Sequence, residues 1–526
     1  MVERKIESKS KSAVAICFLI AFVFGAVAGT LVESQINMLA LQKLGVGIPF
    51  ETRLSTWMHD LGNFSLVYAV IFGSSFLVSQ LAALLLTRFT GASLRTFWCA
   101  FGAALGLWVT FKVVDMIAPM PILIASTRTA GGMFSMVASA ALSGALFAKL
   151  SKLGKVAAAP AMAILLAAGL ALPSADVQAQ SNKPYKVETF ADGLENPWSM
   201  AFLPDGRALI TEKPGRLRIV NADGKLQAKP VGGVPQVLYS GQAGLFDVLP
   251  ATDFAQSQQI FLSYACGTRS ANHACVSSAK LGANGLENVK EIFRSQMAKS
   301  GSAHYGGRMA WLPDNTLILT LGDGYSYREE AQNLSNHLGK IVRINADGSV
   351  PKDNPFVGTQ GAKPEIYSYG HRNVQGLVYD EANKRLVAHE HGPRGGDEVN
   401  VVTPGTNYGW PKATYGIDYS GATISPYKEY EGTQQPAIYW VPSIAPSGMT
   451  VYNGDLFPKW KGSFLVGALK ARSVSRVVLN GNKATEEEVL FKDLGERIRD
   501  IRTGPEGAIY LLTDNTDGKV LRVSPK

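Results

Sequence analysis

Cysteine is scarce: four residues in 526, too few for a scaffold built on disulfides. Charge is thin as well, 18% of the chain. The formal excess of +9 is spread along the whole length, with no basic stripe interleaved with aromatics, which argues against a nucleic-acid partner. Acidic residues are sparse before residue 180, and from Tyr185 onward no helical period of any length appears. What is present is uneven. Residues 1–180 are rich in Ala, Leu, Phe and Val, whereas 185–526 hold most of the Gly, Pro, Asp, Asn and Tyr, the make-up of a turn-rich β protein. A chain this long exceeds one ordinary core. The expected division is a helical membrane domain over 1–150, a connecting stretch over 151–184 and an all-β domain over 185–526.

Five apolar stretches stand out, at about 13–32, 61–86, 94–114, 131–150 and 156–172. The first four are long enough to cross a hydrocarbon core as helices. Arg4, Lys5, Lys9 and Lys11 precede the first, Arg88 and Arg95 lie between the second and third, and Lys149, Lys152 and Lys155 lie between the fourth and fifth. These are alternate loops, so the positive-inside rule puts all of them in the cytoplasm. The fifth stretch then leads outward. It ends in Leu172-Pro-Ser-Ala-Asp-Val-Gln-Ala-Gln180, which fits either an internal signal segment cut after Ala179 or an uncleaved fifth helix. Both place the remainder outside, in the periplasm, with an integral anchor in the inner membrane. Lys112 and Asp115 read as interfacial, and His59 and Asp60 as loop or cap before the second span.

Cys17 and Cys99 fall in spans and read as apolar fillers. Cys266 and Cys275 flank a short polar link on the exported side, which suggests a hairpin disulfide. A zinc pair with His273 is the alternative and lacks further ligands nearby.

Beyond Tyr185 short runs such as Ala208-Leu-Ile-Thr, Leu217-Arg-Ile-Val, Leu317-Ile-Leu-Thr, Arg385-Leu-Val-Ala and Phe464-Leu-Val-Gly read as strands. Turns of one kind recur beside them: Leu203-Pro-Asp-Gly, Leu312-Pro-Asp-Asn, Tyr379-Asp-Glu-Ala-Asn and Gly504-Pro-Glu-Gly. A diffuse strand–turn–strand repeat over some 340 residues, at about fifty per unit, gives about six blades of a β-propeller. Propellers bind ligands with loops from several blades, so the candidate residues should be scattered, and they are. His304, in Ser302-Ala-His-Tyr-Gly-Gly-Arg308, is a loop histidine free to act as a general base or simply to be solvated. Arg372 and Asn373, in Gly370-His-Arg-Asn-Val-Gln-Gly376, offer a fork for planar oxygens. His389-Glu-His-Gly392-Pro393-Arg-Gly-Gly-Asp-Glu398-Val-Asn400, followed by Asn407-Tyr408-Gly-Trp-Pro, is crowded with oxygen donors that suit calcium better than a transition metal. Lys470, and the Arg497-Ile-Arg499 pair on one strand face, would repel one another unless they held an anion or faced solvent.

Taken together and in this order, Asn196-Pro-Trp-Ser-Met-Ala-Phe-Leu-Pro-Asp-Gly, His304-Tyr-Gly-Gly-Arg, Gly370-His-Arg-Asn-Val-Gln-Gly, His391-Gly-Pro-Arg-Gly-Gly-Asp-Glu, Asn407-Tyr-Gly-Trp-Pro and Arg497-Ile-Arg-Asp resemble the soluble glucose and aldose sugar dehydrogenases that use pyrroloquinoline quinone (PQQ). The likeness spans about 187–526. It implies a six-bladed propeller, oxidation of a small sugar, PQQ over the central channel, and calcium. It makes His304 the base and Gln242, Arg372, Asn373, Lys470, Arg497 and Arg499 contacts of PQQ. Gly392 and Pro393 would give carbonyls to calcium, Glu398 and Tyr408 match further calcium-linked positions, and Asp418 aligns less closely. Two departures stand out: Ala303 replaces an acid beside the histidine, and Gly324 replaces a cofactor-contacting Gln. The electron acceptor is not named by any motif. Two other classes compete, a propeller that has lost its cofactor and serves as a binding module, and a calcium-dependent lactonase-type hydrolase. Neither has a use for a cluster of cations shaped for a tricarboxylate.

Overall fold

The computed structural model describes residues 2–117, 123–152 and 184–526, and the chain separates into two compact units whose main division falls between Lys183 and Pro184. The fifth apolar stretch and the cut after Ala179 lie outside the described residues.

The first unit is all helix: α1 (Val2–Lys43), α2 (Phe50–Thr90), α3 (Arg95–Ile117) and α4 (Ala130–Lys152). All four are long and apolar enough to cross a membrane. Each packs on its sequence neighbours and α4 returns to α1, so they form a ring of four. Phe64, Tyr68, Phe72 and Phe76 recur every fourth residue, which puts them on one face of α2, stacked at 5.7, 5.8 and 5.1 Å between ring centroids. His59 and Asp60 are not loop or cap residues, as hydropathy suggested, but lie inside α2. The helix starts where Pro49 lets it, and its first turns carry polar residues that an apolar-window reading passes over. Cys17 and Cys99 are buried and not joined in a disulfide.

The second unit is a six-bladed propeller. Five of its six sheets hold four strands and one holds three. The innermost strands are Pro197–Phe202, Leu245–Pro250, Met309–Trp311, Val374–Asp380, Pro446–Val451 and Ile498–Thr503. Each lies against the next, and the last returns to the first. The ring is closed by the unit's first strand, Tyr185–Leu194, which pairs with the last, Gly518–Pro525, from Tyr185–Pro525 to Leu194–Gly518. The two ends of the domain therefore share one blade, which removes a free edge.

The recurring turns act as their composition implies. In Leu203-Pro-Asp-Gly the Gly206 amide donates to the Leu203 carbonyl at 3.0 Å, with Gly206 at φ 86°. In Leu312-Pro-Asp-Asn, Asn315 does the same at φ 60°. Both reverse the chain between a blade's first and second strands. Cys266 and Cys275 are joined across neighbouring strands of the second blade. His273 bonds the Ser295 carbonyl, so the disulfide and not a zinc pair is present.

Buried charge ties the inner strands together. Asp247 accepts from the Met309 amide at 2.9 Å and Asp500 from the Met200 amide at 3.1 Å. Arg308 reaches Asp500 at 3.1 Å and lies 4.1 Å over the Trp198 ring, while Arg502 pairs with Asp500 at 3.1 Å. Charges so buried persist only when paired. Here they link the first, second, third and sixth blades just where the candidate site begins.

Candidate active site

Within an antiparallel blade the start of the inner strand and the end of the second strand lie at the same edge. That rule gathers residues remote in sequence. Gln242, His304, Arg372, Asn373 and Arg497 precede the inner strands of their blades, and Arg499 lies one residue inside. Lys213, Asp323, His391, Lys470 and Asp514 follow second strands.

His304 is 4% exposed. Its Nδ1 lies 2.7 Å from Asp323 Oδ1, and Asp323 in turn accepts from the Tyr325 amide at 2.7 Å and the Trp410 indole at 2.8 Å. Burial by itself would raise the Asp323 carboxyl, but His304, Arg372 and the Tyr325 amide hold it below its ordinary value. Asp323 is thus ionised and can only accept, so Nδ1 carries the proton and Nε2 the lone pair. Nε2 has no hydrogen bond among the described residues. Burial first, and Arg372 second, push the ring down to about 4 against the pull of Asp323, so it is neutral near pH 7. The backbone at His304 is left-handed, φ 49°, a strained setting for a non-glycine residue. Gln242 fixes it by accepting from the His304 amide at 2.8 Å. Gly322 makes room, since a Cβ there would sit 2.3 Å from the His304 carbonyl oxygen.

Tyr305 and Gly306, which follow His304, and Gln242, which holds its amide, line a cavity of about 340 Å³; the ring of His304 is not in its wall. Gln242, Asn373, Gln375, His391, Arg497 and Arg499 contribute polar groups to its wall, with Lys213 and Asp514, and Trp198, Phe246 and Tyr305 contribute rings. Arg497 donates to Asp514 Oδ2 at 3.0 and 2.7 Å, and Arg499 to Oδ1 at 3.1 and 2.9 Å. One carboxylate therefore aims two guanidinium groups. Burial opposes its charge, but the two arginines overcome that and hold Asp514 down to about 2.

A smaller cavity adjoins His391, lined by Arg372, Glu390, Gly392, Glu398, Tyr408 and Trp410 among others. Burial, and next the Glu390 carboxylate, raise Glu398 well above its ordinary value. Gly392 is packed against carbonyls: a Cβ there would lie 2.3 Å from the oxygens of Gly395 and Gly396. Arg372 donates to the Gly392 carbonyl at 2.6 Å and to that of His391 at 3.1 Å. Pro393 is buried, and its carbonyl carries no hydrogen bond among the described residues. The Tyr408 hydroxyl is used within the fold, donating to Val401 at 2.7 Å and accepting from Thr403, so only its carbonyl remains for a cation. Asp418 accepts from the Ser420 amide and hydroxyl through Oδ1, in its own turn.

The family model for glucose/sorbosone dehydrogenases matches residues 194–522. The chain belongs to this family. It is 44% identical over 346 residues to the aldose sugar dehydrogenase of Escherichia coli K12, covering 65% of this chain and 93% of that one. It is 26% identical over 433 residues to the quinoprotein glucose dehydrogenase B of Acinetobacter calcoaceticus, covering 66% and 89%. Among solved structures, the PQQ-bound aldose sugar dehydrogenase of Streptomyces coelicolor matches with a TM-score of 0.54 at 28% identity, over 65% of this chain and 98% of that one.

Of the residues that resemblance singled out in this family member, Gln242, Asn373, Arg497 and Arg499 line the larger cavity, and Arg372, Gly392, Glu398 and Tyr408 the smaller. His304 and Pro393 are buried and line neither, and Lys470 is exposed and lines neither. Gln375, in the same motif as Arg372 and Asn373, lines the larger cavity with Asn373, whereas Asp323, Asp514, Lys213 and Trp198 were not singled out. At Gly324 a Cβ would meet Lys299 Cδ at 2.7 Å with φ at 70°, so a longer side chain there would have to displace Lys299 and adopt a left-handed backbone.

Proposed function

We propose that this chain oxidises aldose sugars at C1 to lactones, with PQQ and calcium, on the periplasmic side of the inner membrane. The observation that carries the reading is His304, a neutral, oriented imidazole with an uncommitted nitrogen, whose chain neighbours Tyr305 and Gly306 and amide partner Gln242 line a cavity walled by cations, amides and rings.

The donors suit both groups. Two guanidiniums, an ammonium and three carboxamides match what carboxylates and quinone oxygens accept. Two acids forced together, with carbonyls of Pro393 and Tyr408 unspent, match a hard divalent cation, which would relieve the repulsion between Glu390 and Glu398. A cation at Gly392 would displace the Arg372 contact to that carbonyl. Bound there, PQQ supplies a two-electron hydride acceptor and calcium polarises the receiving carbonyl.

The chain's own part is proton handling and placement. The C1 hydroxyl donates its proton to His304 Nε2 as the hydride leaves the same carbon, which leaves a C1 carbonyl and hence the lactone. Asp323 keeps Nδ1 protonated and steadies the imidazolium that forms. Ala303 is buried, so no acid neighbours the histidine in sequence.

The test is dye-linked oxidation by the full chain in detergent, with PQQ and calcium, over a panel of aldoses. Turnover that requires both additions is expected. Absence of oxidation of every aldose while PQQ is bound would sink the reading, and lactone hydrolysis with calcium alone would favour the hydrolase class. For the location, a reporter fused after Lys526 should be active only outside the cytoplasm, and one near Lys152 only inside.

A further inference from the structure

Lys213 has no counterpart among the residues discussed for cofactor contact, yet its surroundings are unusual for a lysine. It follows the second strand of the first blade and lines the larger cavity beside Arg497 and Arg499. Its backbone is pinned on both sides. The amide donates to Asn196 and the carbonyl accepts from Leu245, each at 3.0 Å. Its stem is pinned too, since a Cβ on Gly244 would fall 2.5 Å from Lys213 Cγ. A glycine is required there for the lysine to lie flat. The ammonium stands 5.9 Å over the Tyr239 ring.

Charge bookkeeping makes the position informative. Arg497 and Arg499 share Asp514, so this edge of the cavity holds two guanidiniums and one carboxylate before Lys213 is added. Among the described residues Lys213 makes no ion pair. It is half-buried; burial first, then Arg499 and Arg497, disfavour its charge, and the Asp514 carboxylate offsets them only in part. A cation held in such a place destabilises the empty protein unless an anion fills the cavity. Lys470, the cation the family resemblance nominated, stands exposed outside the cavity.

We infer that Lys213 is a third cationic contact for a polycarboxylate ligand in this cavity, and that it carries more of that ligand's affinity than Lys470. The inference rests on the proposed PQQ reading and extends it to a residue outside the family motif. One carboxylate of the ligand would meet Arg497 and Arg499 of the sixth blade, whose charge Asp514 already halves, and another would meet Lys213 from the adjacent first blade.

The experiment is PQQ titration of the full chain in detergent with calcium, followed by absorbance and fluorescence, alongside thermal unfolding of the apo-protein. Lys213→Met should weaken PQQ binding by about ten- to a hundredfold, the loss of one charge-assisted contact. Lys213→Arg should retain most of the affinity, and Lys470→Met should lose less than Lys213→Met. Because the empty protein bears the repulsion, the apo-protein of Lys213→Met should melt at the wild-type temperature or above it. Lys213→Gln repeats the measurement with a polar side chain of similar reach. Unchanged affinity in both neutral variants, or a lower apo melting temperature with unchanged affinity, would overturn the inference while leaving the cofactor reading intact. Failure of the wild type itself to bind PQQ would overturn both.

Discussion

Two neighbouring blades each pair a buried histidine with an acid, and they differ in what is left over. In the third blade His304 gives Nδ1 to Asp323 at 2.7 Å and keeps Nε2 unspent. In the fourth, His371 lies 2.9 Å from Glu390 through Nδ1 and 2.9 Å from Ser368 through Nε2, and it stacks on Tyr408 at 4.7 Å. His391 commits Nε2 to the Pro446 carbonyl, and its Nδ1 has no hydrogen bond among the described residues. A histidine with both nitrogens engaged can brace a turn but cannot take a proton from a substrate without breaking the brace. Chemistry needs an unspent atom on an oriented ring, and of these two histidine–acid pairs the third blade's supplies one.

The sharpest way to break that contrast is to remove both rings in turn. His304→Ala should leave PQQ and calcium bound and cut turnover by roughly 10²–10⁴-fold, the range for loss of a general base. His371→Ala should do the reverse. It leaves Glu390 and Ser368 without their buried partner, so the melting temperature of the apo-protein should fall, by about 2–4 kcal/mol in stability. Turnover of the folded fraction, at saturating PQQ and calcium, should stay within several-fold of wild type. Near-normal turnover for His304→Ala would return suspicion to His371 and His391.

Asp323→Asn comes between these two. The amide can still touch Nδ1 but no longer bears the charge that steadies the imidazolium, and it can turn its NH₂ toward the ring and reverse the tautomer. Loss of one charge-assisted bond, about 1.5–3 kcal/mol, corresponds to a fall in kcat of roughly 10–150-fold, with PQQ affinity nearly unchanged. A loss confined to PQQ affinity would recast Asp323 as part of the cofactor wall.

How these residues escaped or met the eye in the sequence follows from where they sit in a blade. The propeller was legible because its turns repeat: Leu203-Pro-Asp-Gly and Leu312-Pro-Asp-Asn need a left-handed residue at a fixed place, and composition shows it. His304, Arg372 and Arg497 were legible through the motifs around them. Asp323, Lys213 and Asp514 were not, because each follows a second strand and acquires its meaning from a loop more than ten residues away. A rule was nonetheless available. Once the strands are assigned, the residue just past each second strand faces the residue just before each first strand, and polar residues there are candidates. Lys470 obeys the same rule and still points outward, so the rule finds the edge of the cavity but not the side-chain direction. In the helical unit, His59 and Asp60 were misplaced because hydropathy marks the apolar part of a helix, whereas α2 extends well before it.

The subtlest effect concerns pH. A solvated imidazole loses its base function as pH falls through about 6.5. His304 is pushed down to about 4, chiefly by burial and then by Arg372, with Asp323 pulling the other way. At saturating PQQ and calcium, kcat/KM should therefore hold its plateau well below pH 6.5 and fall only as the pH approaches the lowered value. The same shift makes a stability statement of fixed sign. Between about 6.5 and 4 the unfolded chain binds a proton at this ring and the native protein does not, so the contribution of His304 to stability declines as pH drops across that window and is constant below it. Asp323→Asn removes the one neighbour that raises the ring, so its acid limb should move lower still even though its rate is smaller. A structural aspartate would change the rate without moving the limb. A wild-type limb centred near 6.5, unmoved in Asp323→Asn, would mean that the proton acceptor is an exposed group and that the uncommitted nitrogen of His304 faces no substrate.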